Sequence, residues 1–95
     1  MTNTEYRKFV QEYNQAGFYA TCLGLAGEMG ELLELIKKRE FHGKSISKDR
    51  IKDESGDLLF YLTGLLIEED LSIEEIMDFN TSKLQTRYPR GFKKG

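Results

Sequence analysis

At 95 residues and 11.0 kDa the chain is one domain's worth of sequence, and so small a fold buries only about 60–70% of its unfolded surface, so association with copies of itself is expected. With 39% hydrophobic, 32% charged and 12% aromatic residues the composition is globular and excludes a disordered chain. A net charge of −2 offers no basic field for nucleic acid, one Cys excludes an intrachain disulfide or a cysteine zinc site, and one His excludes a histidine-rich metal centre.

Thr2 and Glu5 form a capping box, and Tyr6, Phe9, Val10 and Tyr13 follow on one helical face before Gly17 interrupts. A longer helix is expected from about Tyr19 to Arg39, with Leu23, Ala26, Leu33 and Ile36 among its apolar positions. His42-Gly43-Lys44-Ser45 reads as a polar connection. Ser47 can cap a third helix carrying Ile51, Leu58, Leu62, Leu65 and Leu66. Ser72 and Glu75 form a second capping box, with Leu71 and Ile76 at the staple positions, and the fourth helix is expected to end near Arg87 because Pro89 disfavours helical geometry at Tyr88. The basic tail Arg90–Gly95 is expected to be loose. No strand-period run is present, so residues 1–95 read as a single all-α domain, a four-helix bundle. The polar N-terminus shows no signal-peptide core, and the apolar stretch Leu58–Ile67 is far short of the ~20 residues that span a bilayer, so a cytoplasmic protein away from membranes is expected.

Glu28-x-x-Glu31 and Glu54-x-x-Asp57 are the informative residues. Each pair points one way on its helix, and Leu32, Leu35, Leu58 and Tyr61 follow four residues later on the same stripes. Charges usually take the opposite face. Carboxylates facing a core repel one another unless protonation, basic partners or a divalent cation relieves them. An all-oxygen set suits Mg²⁺ or Mn²⁺. The alternative is that both pairs sit at the stripe edge and reach water.

Gly24, Gly27 and Gly30 recur within the second helix, and Gly56 and Gly64 lie in the third. Each interior glycine costs roughly 1 kcal/mol relative to alanine, which close helix approach or space for a ligand would offset. Asn80, Lys83 and Arg87 share one face of the fourth helix, and Lys38 follows Glu31 by two turns. A cationic face beside a metal-loaded acidic cluster suits a polyphosphate, although Lys38 can equally pair with Glu34 on the surface. Gly43-Lys44-Ser45 resembles the end of a P-loop, but Lys38 stands where the upstream Gly belongs. His42 follows Arg39, so a di-iron Glu-x-x-His motif fails too. Cys22 reads as a buried structural thiol.

Three segments in order are similar to the MazG-like nucleotide pyrophosphohydrolases of the all-α nucleoside triphosphate pyrophosphatase superfamily. They are Gly24-Leu25-Ala26-Gly27-Glu28-Met29-Gly30-Glu31, then Glu54-Ser55-Gly56-Asp57-Leu58, then Asn80-x-x-Lys83-Leu84-x-x-Arg87-Tyr88-Pro89-x-Gly91-Phe92. The 22-residue spacer between the acidic pairs falls within the family pattern, and Ser55 stands where members often carry Leu. The resemblance implies Mg²⁺-dependent hydrolysis of a nucleoside triphosphate to the monophosphate and pyrophosphate, with Mn²⁺ a possible substitute. It carries Glu28, Glu31, Glu54 and Asp57 over as metal ligands and Asn80, Lys83 and Arg87 as nucleotide contacts; Lys38 is added as a substrate contact on its spacing from Glu31. It also implies a homodimer or homotetramer built from packed helices. Glu31 or Glu34 would take the proton of the attacking water, and aromatics such as Phe18, Tyr61 or Phe92 would shape the pocket. The competing readings are a catalytically inactive metal- or nucleotide-binding helical module, and an interaction module whose acids are solvated.

Overall fold

The computed structural model describes residues 1–93; Lys94 and Gly95, part of the tail expected to be loose, lie outside the described residues. Four helices follow in order: α1 (Asn3–Tyr13), α2 (Phe18–Phe41), α3 (Lys48–Glu68) and α4 (Ile73–Arg87), with no strand among the described residues.

Local chemistry sets the boundaries. The α1 capping box closes in both directions: the Glu5 N–H donates to Thr2 Oγ1 at 3.1 Å and the Thr2 N–H donates to Glu5 Oε1 at 2.9 Å. Ser72 and Glu75 repeat it at the start of α4, with 3.1 and 2.9 Å bonds. Ser47 Oγ accepts from the Arg50 N–H at 3.2 Å to open α3. The second helix exceeds its expected span at both ends. It starts at Phe18 because Gly17, at φ +85°, turns the chain and the Thr21 hydroxyl donates back to the Gly17 carbonyl at 2.7 Å. Asp70, at φ +56°, makes the left-handed turn that ends α3, and the Leu71 N–H then donates to the Leu66 carbonyl at 2.9 Å. Beyond α4 the Gly91 N–H donates to the Tyr88 carbonyl at 2.8 Å and the Phe92 ring meets Tyr88 edge-on, so this part of the tail forms a turn.

Helix α2 runs along α3, and α1 leans on α3. Facing positions show that α2 and α3 are antiparallel: Gly24 lies against Tyr61, and Thr21 against Gly64. The core between these three helices is thin. Val10 and Leu35 are the buried apolar residues among those described, with Thr21 and Thr63 buried beside them. No residue of α4 is buried. That helix is tethered at its start, where the Arg7 guanidinium donates to the Leu71 carbonyl and Ser72 and Ile73 line a small cavity together with Asn3, Thr4 and Leu66.

Two faces remain uncovered. On α2, Tyr19, Leu23, Ala26, Gly30 and Leu33 are all exposed, Leu23 by 74% and Leu33 by 59%, so three of the apolar positions picked out in this helix lie on its outer side. Their alternating four- and three-residue spacing is that of a helix–helix seam. On α4, Phe79 is 72% exposed. The chain exposes 7650 Å², against about 5,600 Å² for a compact monomer of this mass. Its radius of gyration is 15.9 Å, against about 12 Å for a compact domain of this length.

Leu35 and Leu33, two residues apart on α2, should therefore respond differently in dilute protein. Leu35→Ala empties the thin core and is expected to cost about 2–4 kcal/mol in urea unfolding. Leu33→Ala is expected to cost less than about 0.5 kcal/mol wherever the chain is monomeric.

Candidate metal and nucleotide site

The α2–α3 pairing places acids face to face. Glu28 lies one turn beyond Gly24 on α2, and Asp57 one turn before Tyr61 on α3. Oxygens from Glu28, Glu54 and Asp57 accordingly come within 4.8 Å of one another. Glu28 is half-buried, the Glu54 side chain is only 12% exposed and Asp57 is open to solvent. Glu31 stands at the exposed rim, close enough to act on Glu54.

This arrangement is strained electrostatically. Burial, followed by the charges of Glu31 and Asp57, pushes the Glu28 carboxyl up to about 7. The Glu54 carboxyl is also raised, first through the hydrogen bond it shares with Glu31 once either is protonated, and then through burial. The Tyr6 phenol is raised by burial and by the facing charge of Asp57. Among the described residues one cation touches the cluster: Arg50, itself 59% exposed, lies 3.8 Å from Glu54. Glu28 Oε2 and Glu54 Oε2 are both buried without a hydrogen-bond partner. Two orphaned carboxyl oxygens beside a third carboxylate fit a hard divalent cation such as Mg²⁺ or Mn²⁺, which all-oxygen donors favour.

An open depression of about 480 Å³ adjoins the acids, lined by Tyr6, Phe9, Phe60 and Tyr61 together with Glu28, Gly56 and Asp57. Of the aromatics picked out in the sequence, Tyr61 is in this wall. Phe18 stacks edge-on against Tyr19, and Phe92 lies with Tyr88 beyond α4. Tyr6 and Phe9 escaped notice as site residues because their spacing marked them as the core face of α1. The signal lay in that same stripe, too aromatic for the little core it covers.

The remaining site residues lie apart. Glu34 is exposed and pairs with Lys37 at 4.0 Å, not with Lys38. Lys38 is exposed near the end of α2, where its carbonyl accepts from the His42 and Lys44 N–H groups. Asn80, Lys83 and Arg87 are all exposed on α4, and no α4 residue lines the acidic depression. Cys22 is half-buried and free, less enclosed than its apolar neighbours suggest.

Residues 17–92 match the MazG nucleotide pyrophosphohydrolase domain family, a span that includes both acidic pairs and the α4 cations. The chain belongs to this family. Among curated proteins it is similar to the Gene 37 protein of Mycobacterium phage L5, with 31% identity over 83 residues, covering 83% of this chain and 73% of that protein. No solved structure matches it.

The raised carboxyls give this MazG domain a definite pH response without metal. The folded state holds the Glu28 proton over a range where the unfolded chain, at an ordinary value near 4.5, has already released it. The contribution of Glu28 to metal-free stability should therefore be fully present below about 4.5 and be lost as the pH rises to about 7. Melting temperatures in chelator across that range test this, and millimolar Mg²⁺ should recover the loss at neutral pH.

Proposed function

We propose that this MazG domain hydrolyses a nucleoside triphosphate to the monophosphate and pyrophosphate, with Mg²⁺ held by Glu28, Glu31, Glu54 and Asp57 and with Mn²⁺ able to replace it. The observation that carries this reading is the pair of orphaned buried oxygens on Glu28 and Glu54, members of one acidic cluster beside an aromatic depression. Bound among these carboxylates, Mg²⁺ would supply charge neutralisation for the phosphates and Lewis acidity toward water.

The chain's own groups would do the rest. Glu28 and Glu54, being the more enclosed, would fix the cation between the helices. Asp57 would complete the set from the solvent side. What supports Glu31 over Glu34 as proton acceptor is its proximity to Glu54 at an open rim, whereas Glu34 is occupied by Lys37. The aromatic walls would exclude water from one side of the bound nucleotide.

Asn80, Lys83 and Arg87 enter as phosphate contacts supplied by a second copy, with Lys38 as an outer contact. The surplus surface of this chain, the exposed seam on α2 and the absence of any buried residue on α4 support a homodimer or homotetramer. Burying about 800 Å² per subunit makes a standard interface, and the surplus exceeds twice that. A reducing cytoplasmic setting belongs to the same reading, and the free Cys22 is compatible with it.

A panel of nucleoside triphosphates with Mg²⁺, with products separated by chromatography, is expected to yield pyrophosphate and monophosphate from at least one substrate. Release of inorganic phosphate alone from every substrate would exclude the reaction. Asp57→Asn is expected to lower turnover by at least roughly 100-fold while helicity is kept, because it removes one ligand charge without changing shape.

Contribution of α4 by a second copy has its own signature. Asp57→Asn and Arg87→Ala protomers, each inactive or weak alone, are expected to recover roughly a quarter of wild-type activity when mixed and allowed to exchange, since hybrid dimers carry one intact site. Absence of recovery with demonstrated subunit exchange would assign Arg87 to its own chain's site or to none.

A further inference from the structure

Three glycines interrupt α2, and they are not equivalent. Space around Gly27 and Gly30 is open, with nothing within 4 Å of where a Cβ would stand, and the same holds for Gly56 on α3. At Gly24 an added Cβ would lie 2.6 Å from both Cε1 and Cζ of Tyr61 and 2.9 Å from Cδ1. The Tyr61 ring thus occupies the notch left by the missing side chain. Tyr61 is also a wall of the depression shared with Glu28 and Asp57, one turn away along each helix. Its other side meets Phe60 edge-on, with ring centroids 5.6 Å apart.

We infer that Gly24 is a positioning residue: its absent side chain seats the Tyr61 ring against α2, and the seated ring is the wall on which the flat heteroaromatic base of the nucleotide rests. The inference builds on the hydrolase reading above and assigns the depression to the base, leaving the phosphates to the carboxylate end. The lining supports that division, because four aromatic rings and no cation are among its residues.

Replacing Gly24 with alanine leaves the ring nowhere to lie. Helices α2 and α3 are fixed by packing along their length, whereas the ring sits two side-chain torsions from its backbone. The ring therefore yields, swinging away from α2 into the space the base would fill. The carboxylates, held by backbone one turn away, keep their places.

Gly24→Ala is thus expected to raise KM for the preferred triphosphate by about tenfold, the loss of one stacking surface, while Mn²⁺ affinity read by electron paramagnetic resonance changes by less than about twofold. Gly27→Ala, with open space around it, should leave both unchanged. A second readout does not depend on turnover. In protein labelled with 3-fluorotyrosine, the Tyr61 fluorine resonance, assigned with Tyr61→Phe, should move in Gly24→Ala and stay put in Gly27→Ala. Tyr61→Leu removes the ring, should reproduce the KM increase, and should make a subsequent Gly24→Ala change silent. That pair also decides the matter if Gly24→Ala alone fails to fold, because the double variant should then fold. An unmoved resonance, an unchanged KM, or a parallel loss of Mn²⁺ binding in Gly24→Ala overturns the inference. A wild-type protein that binds no Mn²⁺ overturns the hydrolase reading instead, and the fluorine resonance still decides whether Gly24 seats Tyr61.

Discussion

Antiparallel packing of α2 on α3 forces like charges together. Once Thr21 faces Gly64 and Gly24 faces Tyr61, the next turn must bring Glu28 opposite Asp57 and Glu54. Apolar residues at those positions would have enlarged a core that has little else, since Val10 and Leu35 are the buried apolar residues among those described. The domain instead places carboxylates there, two of them with unpartnered buried oxygens. The elevated Glu28 carboxyl expresses that conflict in the metal-free protein. Stability given up at a site is the usual mark of groups retained for what they bind.

Helix positions were legible in the sequence because their signals are local. Thr2/Glu5, Ser47 and Ser72/Glu75 cap helices where expected, and α4 ends at Arg87, two residues before Pro89. The inward direction of Glu28 and Glu54 was legible too, since a residue's direction on a helix follows from spacing, whereas Glu31 and Asp57 of the same pairs are exposed, as expected of acids at a stripe edge. Resemblance to MazG domains added the order of the motifs, and the family match covers the same segments.

What spacing does not encode is which side of a helix meets which neighbour. Leu23, Ala26 and Leu33 looked like core and are exposed, because α2 is apolar on two sides and only one of them faces α3. The glycines were ambiguous for the same reason. Gly24 and Gly64 prove to be sites of close approach, while Gly27, Gly30 and Gly56 have open surroundings within the chain. The α4 cations carried no signal of distance, so their absence from the acidic depression emerged only from the fold. A side chain's choice between partners three and four residues away is equally local noise, as Glu34 shows by pairing with Lys37.

Helix α1 has two adjacent residues with different attachments. Tyr6 faces Asp57 in the depression, and Arg7 holds the Leu71 carbonyl at the root of α4. Acidic floor and projecting cationic arm are therefore geared through a single turn of one short helix. A substitution that displaces α1 is therefore expected to disturb the wall of the depression and the root of α4 together.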